Sequence, residues 1–133
     1  MQEMKTEYLK PEEIEKRSFE IISKELDDMG ITLEEGHERV IKRCIHTTAD
    51  FDYAGTMYFS ENAVSILKEL IKNGTGIVTD TQMALSGINK RELEKYGCSY
   101  VCHMSDENVA RIAKETGKTR AAVSMELEME KGL

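Results

Sequence analysis

A chain of 133 residues with 40% apolar content is long enough to bury one core, and its 18 basic against 25 acidic side chains leave a net charge of -7. That balance argues against a nucleic-acid partner, whose phosphates call for a basic face. No apolar run reaches the roughly 18 residues of a bilayer-crossing helix, and Met1 to Pro11 is polar and charged rather than basic and then apolar, so a soluble cytoplasmic protein is expected.

Pro11-Glu12-Glu13 predicts a helix start, with proline supplying a preset φ and the acidic side chains facing the positive end of the dipole. Ile14, Ser18, Ile21, Ile22, Leu26 and Met29 recur at helical spacing, and Gly30 is a natural left-handed stop. Ser18 lies on or beside that stripe, where a small residue lets another element approach. Thr32 and Glu35 read as a capping box that opens a second helix striped by Leu33, Val40, Ile41, Cys44 and Ile45. His46 then falls in its last turn or just past it, where unpaired carbonyls favour a cation and suit a histidine that gives up a proton near neutral pH. By position alone, a histidine there is more often a cap or a packing residue than a catalyst.

Thr47, Thr48 and Asp50 are too polar for a core. Phe51, Tyr53, Tyr58 and Phe59 cluster around Gly55, with 56–59 expected as a short strand; such aromatics serve packing or wall a flat conjugated ligand. Ser60 is the expected N-cap of a third helix carrying Ala63, Val64, Leu67, Leu70 and Ile71 and closed by Asn73-Gly74. A strand over 76–79 then delivers Asp80 at its carboxyl end, where ligands gather in parallel sheets. Because Gly74-x-Gly76 precedes this strand, it does not match a dinucleotide fingerprint.

Asp80, Thr81 and Gln82 serve either as a polar loop capping the next helix or as part of a site, while Met83 and Leu85 are expected in the core. Arg91 to Tyr96 forms a helical turn closed by Gly97, and 99–104 alternates as a further strand. Ser105-Asp106 caps a helix running through Val109, Ile112 and Ala113 to Gly117; Thr119 caps the last one, with Ala121, Ala122, Met125 and Met129 toward the core. Arg120 thus enters the first turn of a helix, a cation opposed to the dipole. A bound carboxylate would reconcile the two; otherwise the side chain reaches into water.

Cys44, Cys98 and Cys102 are an odd number and argue against a disulfide framework. Cys98 and Cys102 with His103 are spaced more widely than a zinc knuckle and no second ligand pair follows, so no metal site is expected. With no repeat and Pro11 the sole proline, the helix and strand alternation predicts one domain over 1–133, an α/β fold of three layers, α/β/α, with a predominantly parallel sheet.

Four blocks, 17–22 (Arg-Ser-Phe-Glu-Ile-Ile), 43–48 (Arg-Cys-Ile-His-Thr-Thr), 79–88 (Thr-Asp-Thr-Gln-Met-Ala-Leu-Ser-Gly-Ile) and 118–122 (Lys-Thr-Arg-Ala-Ala), together resemble the precorrin-8X methylmutase family of cobalamin biosynthesis. The resemblance implies an isomerase that moves a methyl group from carbon 11 to carbon 12 of precorrin-8X or cobalt-precorrin-8, with His46 as proton donor and no cofactor. It implies Ser18, Arg43, Asp80 and Arg120 against an anionic tetrapyrrole, and a homodimer. It also implies a longer domain, of which this chain would be two thirds or less, leaving the sheet incomplete at the C-terminus. A corrinoid carrier, an inactive fragment or a structural module are the alternatives.

Overall fold

The computed structural model describes residues 8–132; Met1 to Glu7 of the polar N-terminal stretch, and Leu133, lie outside the described residues. The chain forms two compact units, Met1–Ser65 and Ile66–Leu133.

The first unit is built on α1 (Pro11–Asp28) and α2 (Glu38–Thr48), followed by the single turn α3 (Tyr53–Thr56). Pro11 occupies the first position of α1, and the Lys10 amide donates to the Glu13 carboxylate at 3.3 Å, satisfying a donor left over at the helix start. The helix stops as expected at Gly30 (φ +70°), with the Ile31 amide reaching back to the Leu26 carbonyl at 2.9 Å. Ile22 and Leu26 bury against Ile41 and Ile45 of α2, while Ile31, Leu33, Phe51 and Phe59 pack around them. Ile14, Ile21 and Met29 share the stripe but stay exposed, so the apolar face of α1 is wider than α2 covers.

Two expectations fail here for local reasons. The second helix starts at Glu38 rather than behind Thr32, because Gly36 takes φ +94° and breaks the helical run. His37 follows that break, its ring stacked on Phe59 at 4.1 Å. The strand expected at 56–59 is absent; Asp50 Oδ1 accepts the Asp52 amide at 2.9 Å, and the Asp52 carbonyl then collects the Gly55 and Thr56 amides at 3.0 Å, which winds α3 instead. The threonines closing α2 turn their hydroxyls inward along the helix. Thr47 donates to the Arg43 carbonyl at 3.0 Å and Thr48 to that of Cys44 at 2.7 Å.

Helix α4 (Ala63–Lys72) begins in the first unit and continues in the second. Ser60 does not cap it through its side chain; its carbonyl accepts the Ala63 amide at 3.1 Å across a turn in which Asn62 is left-handed at φ +58°. Ile66, Leu67 and Leu70 are exposed along it.

The second unit holds β1 (Gly76–Val78), α5 (Gln82–Gly87), α6 (Lys90–Lys95), β2 (Ser99–Val101), α7 (Glu107–Thr116) and α8 (Arg120–Glu130). The strands pair in parallel with Gly76 opposite Ser99, Ile77 opposite Tyr100 and Val78 opposite Val101, and the Thr79 amide adds a bond to the Val101 carbonyl at 3.0 Å. Both strands are shorter than expected, β2 because the chain turns at Met104-Ser105. Gly74 leads into β1 at φ +77°, and a Cβ there would lie 2.9 Å from the Tyr96 carbonyl oxygen. Helices joined to parallel strands place the chain in the α/β class.

Val109, Ala113 and Val123 form the core between α7 and α8, flanked by Ile112 and Leu127. Met125 and Met129, expected inside, are exposed, and so is Met83 at 85%. On α8 the inward face passes instead through Val123, Ser124 and Leu127, a choice that its scattered alanines and methionines do not announce. Cys98 and Cys102 are buried and Cys44 half-buried, all three free; Cys98 Sγ donates to the Ile71 carbonyl at 3.3 Å. Among the described residues no helix is long and apolar enough to cross a membrane.

Candidate active site

Helices α1 and α2 bring together two residues 28 positions apart. Ser18 Oγ lies 2.7 Å from His46 Nδ1, in the last turn of α2, and both side chains are half-buried. They line an open groove of about 400 Å³ whose apolar walls include Leu9, Ile14, Ile21 and Phe51, with Arg17 and Glu25 as its charged lining. The exposed isoleucines of the α1 stripe are thus walls of this groove. Arg17 is also within 3.4 Å of Glu20. A larger depression of about 590 Å³ over the same helix pair is lined by charged side chains of both signs, Glu12, Glu15, Glu20, Arg39 and Lys42 among them, together with Phe19.

The imidazole of His46 stacks on Phe19 with centroids 5.5 Å apart and planes 25° from parallel. The Arg43 guanidinium lies over the same phenyl ring, 5.1 Å from its centroid, and bonds Glu15 at 2.5 Å. That hydrogen bond and the guanidinium charge hold the Glu15 carboxyl below its usual range, although the pair is exposed to water.

Asp80 and Arg120 lie in the second unit. Asp80 is exposed just past the carboxyl end of β1. The cap on α5 belongs to its neighbour, since Thr81 Oγ1 accepts the Ala84 amide at 3.1 Å. Arg120 is the first residue of α8 and exposed, behind Thr119, whose Oγ1 accepts the Ala122 amide at 3.2 Å. The structure therefore places Ser18, Arg43 and His46 in one unit and Asp80 and Arg120 in the other.

His103 is engaged on both ring nitrogens, at 2.7 Å from Asp106 through Nδ1 and with Glu128 through Nε2. Asp106 stands at the N-cap position of α7 but spends its carboxylate on this histidine. Lys131 Nζ donates to Glu128 at 2.6 Å. Glu128 first and Asp106 second push the His103 pKa up, while Lys131 and then His103 pull that of Glu128 down. No group of three or more histidine, cysteine or acidic side chains among the described residues is placed to hold a metal ion.

Sequence reading did not find Phe19, Glu15 or Arg17 as parts of this environment. No signal in a single sequence could have done so, because the pairs 15–43 and 18–46 depend on how two helices face one another.

The fold and groove define an α/β protein in which a histidine, 2.7 Å from a serine hydroxyl, lines a groove with apolar walls. A solved structure of the same build is that titled as precorrin-8x methyl mutase from Thermus thermophilus, at TM-score 0.76 and 32% identity over 90% of this chain and 56% of that one. The family model described as precorrin-8X methylmutase (CbiC) matches residues 13–132, and the chain belongs to that family. Cobalt-precorrin-8 methylmutase of Salmonella typhimurium is 41% identical over 88% of this chain and 57% of its own length. That of Leptospira interrogans is 41% identical over 85% and 50% respectively. The chain thus spans about half the length of the curated relatives it matches.

Proposed function

We propose that this chain carries the reacting centre of a methylmutase acting on precorrin-8X or cobalt-precorrin-8, an isomerase in which His46 supplies a proton to the macrocycle. The observation that carries the reading is the 2.7 Å contact of Ser18 Oγ with His46 Nδ1 inside an apolar groove. A hydroxyl donates to a neutral Nδ1 and accepts from a protonated one, so the remaining nitrogen, Nε2, carries a proton in either state. Release of that proton from the protonated ring leaves the neutral tautomer with hydrogen on Nδ1, which Ser18 Oγ holds as acceptor until Nε2 is protonated again. A proton placed on the conjugated ring beside the migrating carbon redistributes its electrons, so the methyl migration calls for no nucleophile from the protein.

A macrocycle with carboxylate arms is apolar in its middle and anionic at its rim. The isoleucine and phenylalanine walls suit the middle. Asp80 and Arg120, with Ser18, are the proposed ligand contacts, Arg120 as a partner for a carboxylate arm, while Arg43 serves the site from beside Phe19. Both units belong in this reading to one methylmutase-like domain, with β1 and β2 part of a three-layer α/β/α sheet that is incomplete here, and with a homodimer as the working assembly. The match to residues 13–132 runs through both units, which supports reading them as parts of one family domain.

Incubation with the authentic substrate, read by absorption and by isomer formed, tests the proposal. His46→Ala is expected to abolish isomer formation while retaining most pigment binding, because it removes an interaction developed in the transition state. A folded H46A protein with wild-type turnover would falsify the reading, and a spectral shift without isomer from the wild-type chain would assign a carrier instead.

A further inference from the structure

We infer that Phe19, together with the Arg43 and Glu15 pair, is a positioning brace that fixes the ring plane of His46, committing Nδ1 to Ser18 and leaving Nε2 for the ligand. The inference rests on the reading of His46 as proton donor and assigns roles that this reading alone does not. A single hydrogen bond between an imidazole and a neutral hydroxyl is a weak hold, because rotation about the bond to the ring costs little where the walls are open. Rotation of the ring out of its plane would swing Nδ1 away from Ser18 and break the relation between the two nitrogens on which proton release depends.

The groups that oppose such rotation are arranged on matching turns. Glu15, Ser18 and Phe19 are three and four apart on α1, and Arg43 and His46 are three apart on α2, so each helix presents its set on one face. Phe19 stacks on the imidazole at 5.5 Å, an offset geometry that favours one ring plane over others. The phenyl ring is itself held, since the Arg43 guanidinium lies 5.1 Å from its centroid and is tied by a 2.5 Å bond to Glu15. Ser18 therefore fixes which nitrogen is engaged, and the brace fixes the plane in which engagement occurs. This accounts for an exposed arginine with an acidic partner beside a groove meant for an anion: its charge is already engaged by Glu15 and Phe19.

The test is nitrogen-resolved NMR of the imidazole in the full chain without ligand, a readout that does not need turnover. The wild-type neutral ring is expected as a single tautomer with hydrogen on Nε2. Phe19→Leu, which keeps an apolar side chain but removes the stack, is expected to make the tautomer with hydrogen on Nδ1 appear as a measurable minor form, and Phe19→Tyr to restore the single one. Arg43→Gln, an exposed change that leaves the core untouched, is expected to shift the ratio in the same direction and carries the test if F19L does not fold. An unchanged single tautomer in folded F19L or in R43Q would overturn the brace. Failure of the catalytic reading is seen separately, in the turnover of H46A.

Discussion

In the first unit a histidine is held through one ring nitrogen by a neutral hydroxyl and lines an apolar groove. In the second, both ring nitrogens of a histidine are taken by carboxylates, one of them shared with a lysine. A ring with both nitrogens committed has no proton to give without breaking an ion pair, so His103 is a fastener between the loop after β2 and the end of α8. A ring held on one side by a group that both donates and accepts can change protonation state while staying in place. The same side chain is thus either fastened or left with a free ring nitrogen according to how many partners it has and whether they are charged.

The largest expected effect breaks the first side of this comparison. Ile45, 1% exposed and adjacent to His46, joins α1 and α2. Ile45→Ala should cost about 2 to 5 kcal/mol by loss of buried surface and a residual cavity, read as a lower urea midpoint. Next comes the entry to the sheet in the second unit. Gly74→Ala forces a Cβ to 2.9 Å from the Tyr96 carbonyl at a left-handed φ, and should cost about 1 to 3 kcal/mol in the same measurement. Thr119→Ala removes the cap that launches α8 toward the His103 fastener and should cost about 1 kcal/mol, with serine restoring most of it.

The smallest effect near neutrality sharpens the comparison through pH. The His103 pKa is raised above its ordinary 6.5, so its contribution to stability is complete below that value and is lost as pH rises through the higher folded value. Glu128 is lowered from 4.5, so its contribution is complete above that value and is lost as pH falls through the lower folded one. The fastener should therefore be strongest between pH 4.5 and 6.5. Thermal melts of the wild type above this window should fall with pH, and His103→Gln should flatten that fall. An identical decline in H103Q would assign the pH dependence to other groups.

What the sequence made legible was local. Gly30 ended α1, the stripe through Ile41 and Ile45 set the buried face of α2, and His46 fell in the last turn, because each depends on periodicity within one element. Both strands lie within the segments read for them, one or more residues shorter. What was missed depends on competition between neighbours or on contacts across the chain. Gly36 overrode a plausible capping box, and the Asp50 side chain turned an aromatic strand pattern into a helical turn. The face of α8 was misread because its alanines and methionines set no stripe, and the partner of Ser18 was hidden because nothing in either helix names the other.

The burial of the cysteines has a practical corollary. Cys98 and Cys102 are buried, whereas Cys44 is half-buried on α2 and stands two positions before His46. A maleimide fluorophore applied to the folded chain should therefore attach first at Cys44, giving, without any engineered labelling site, a reporter with which binding of the proposed pigment can be tested.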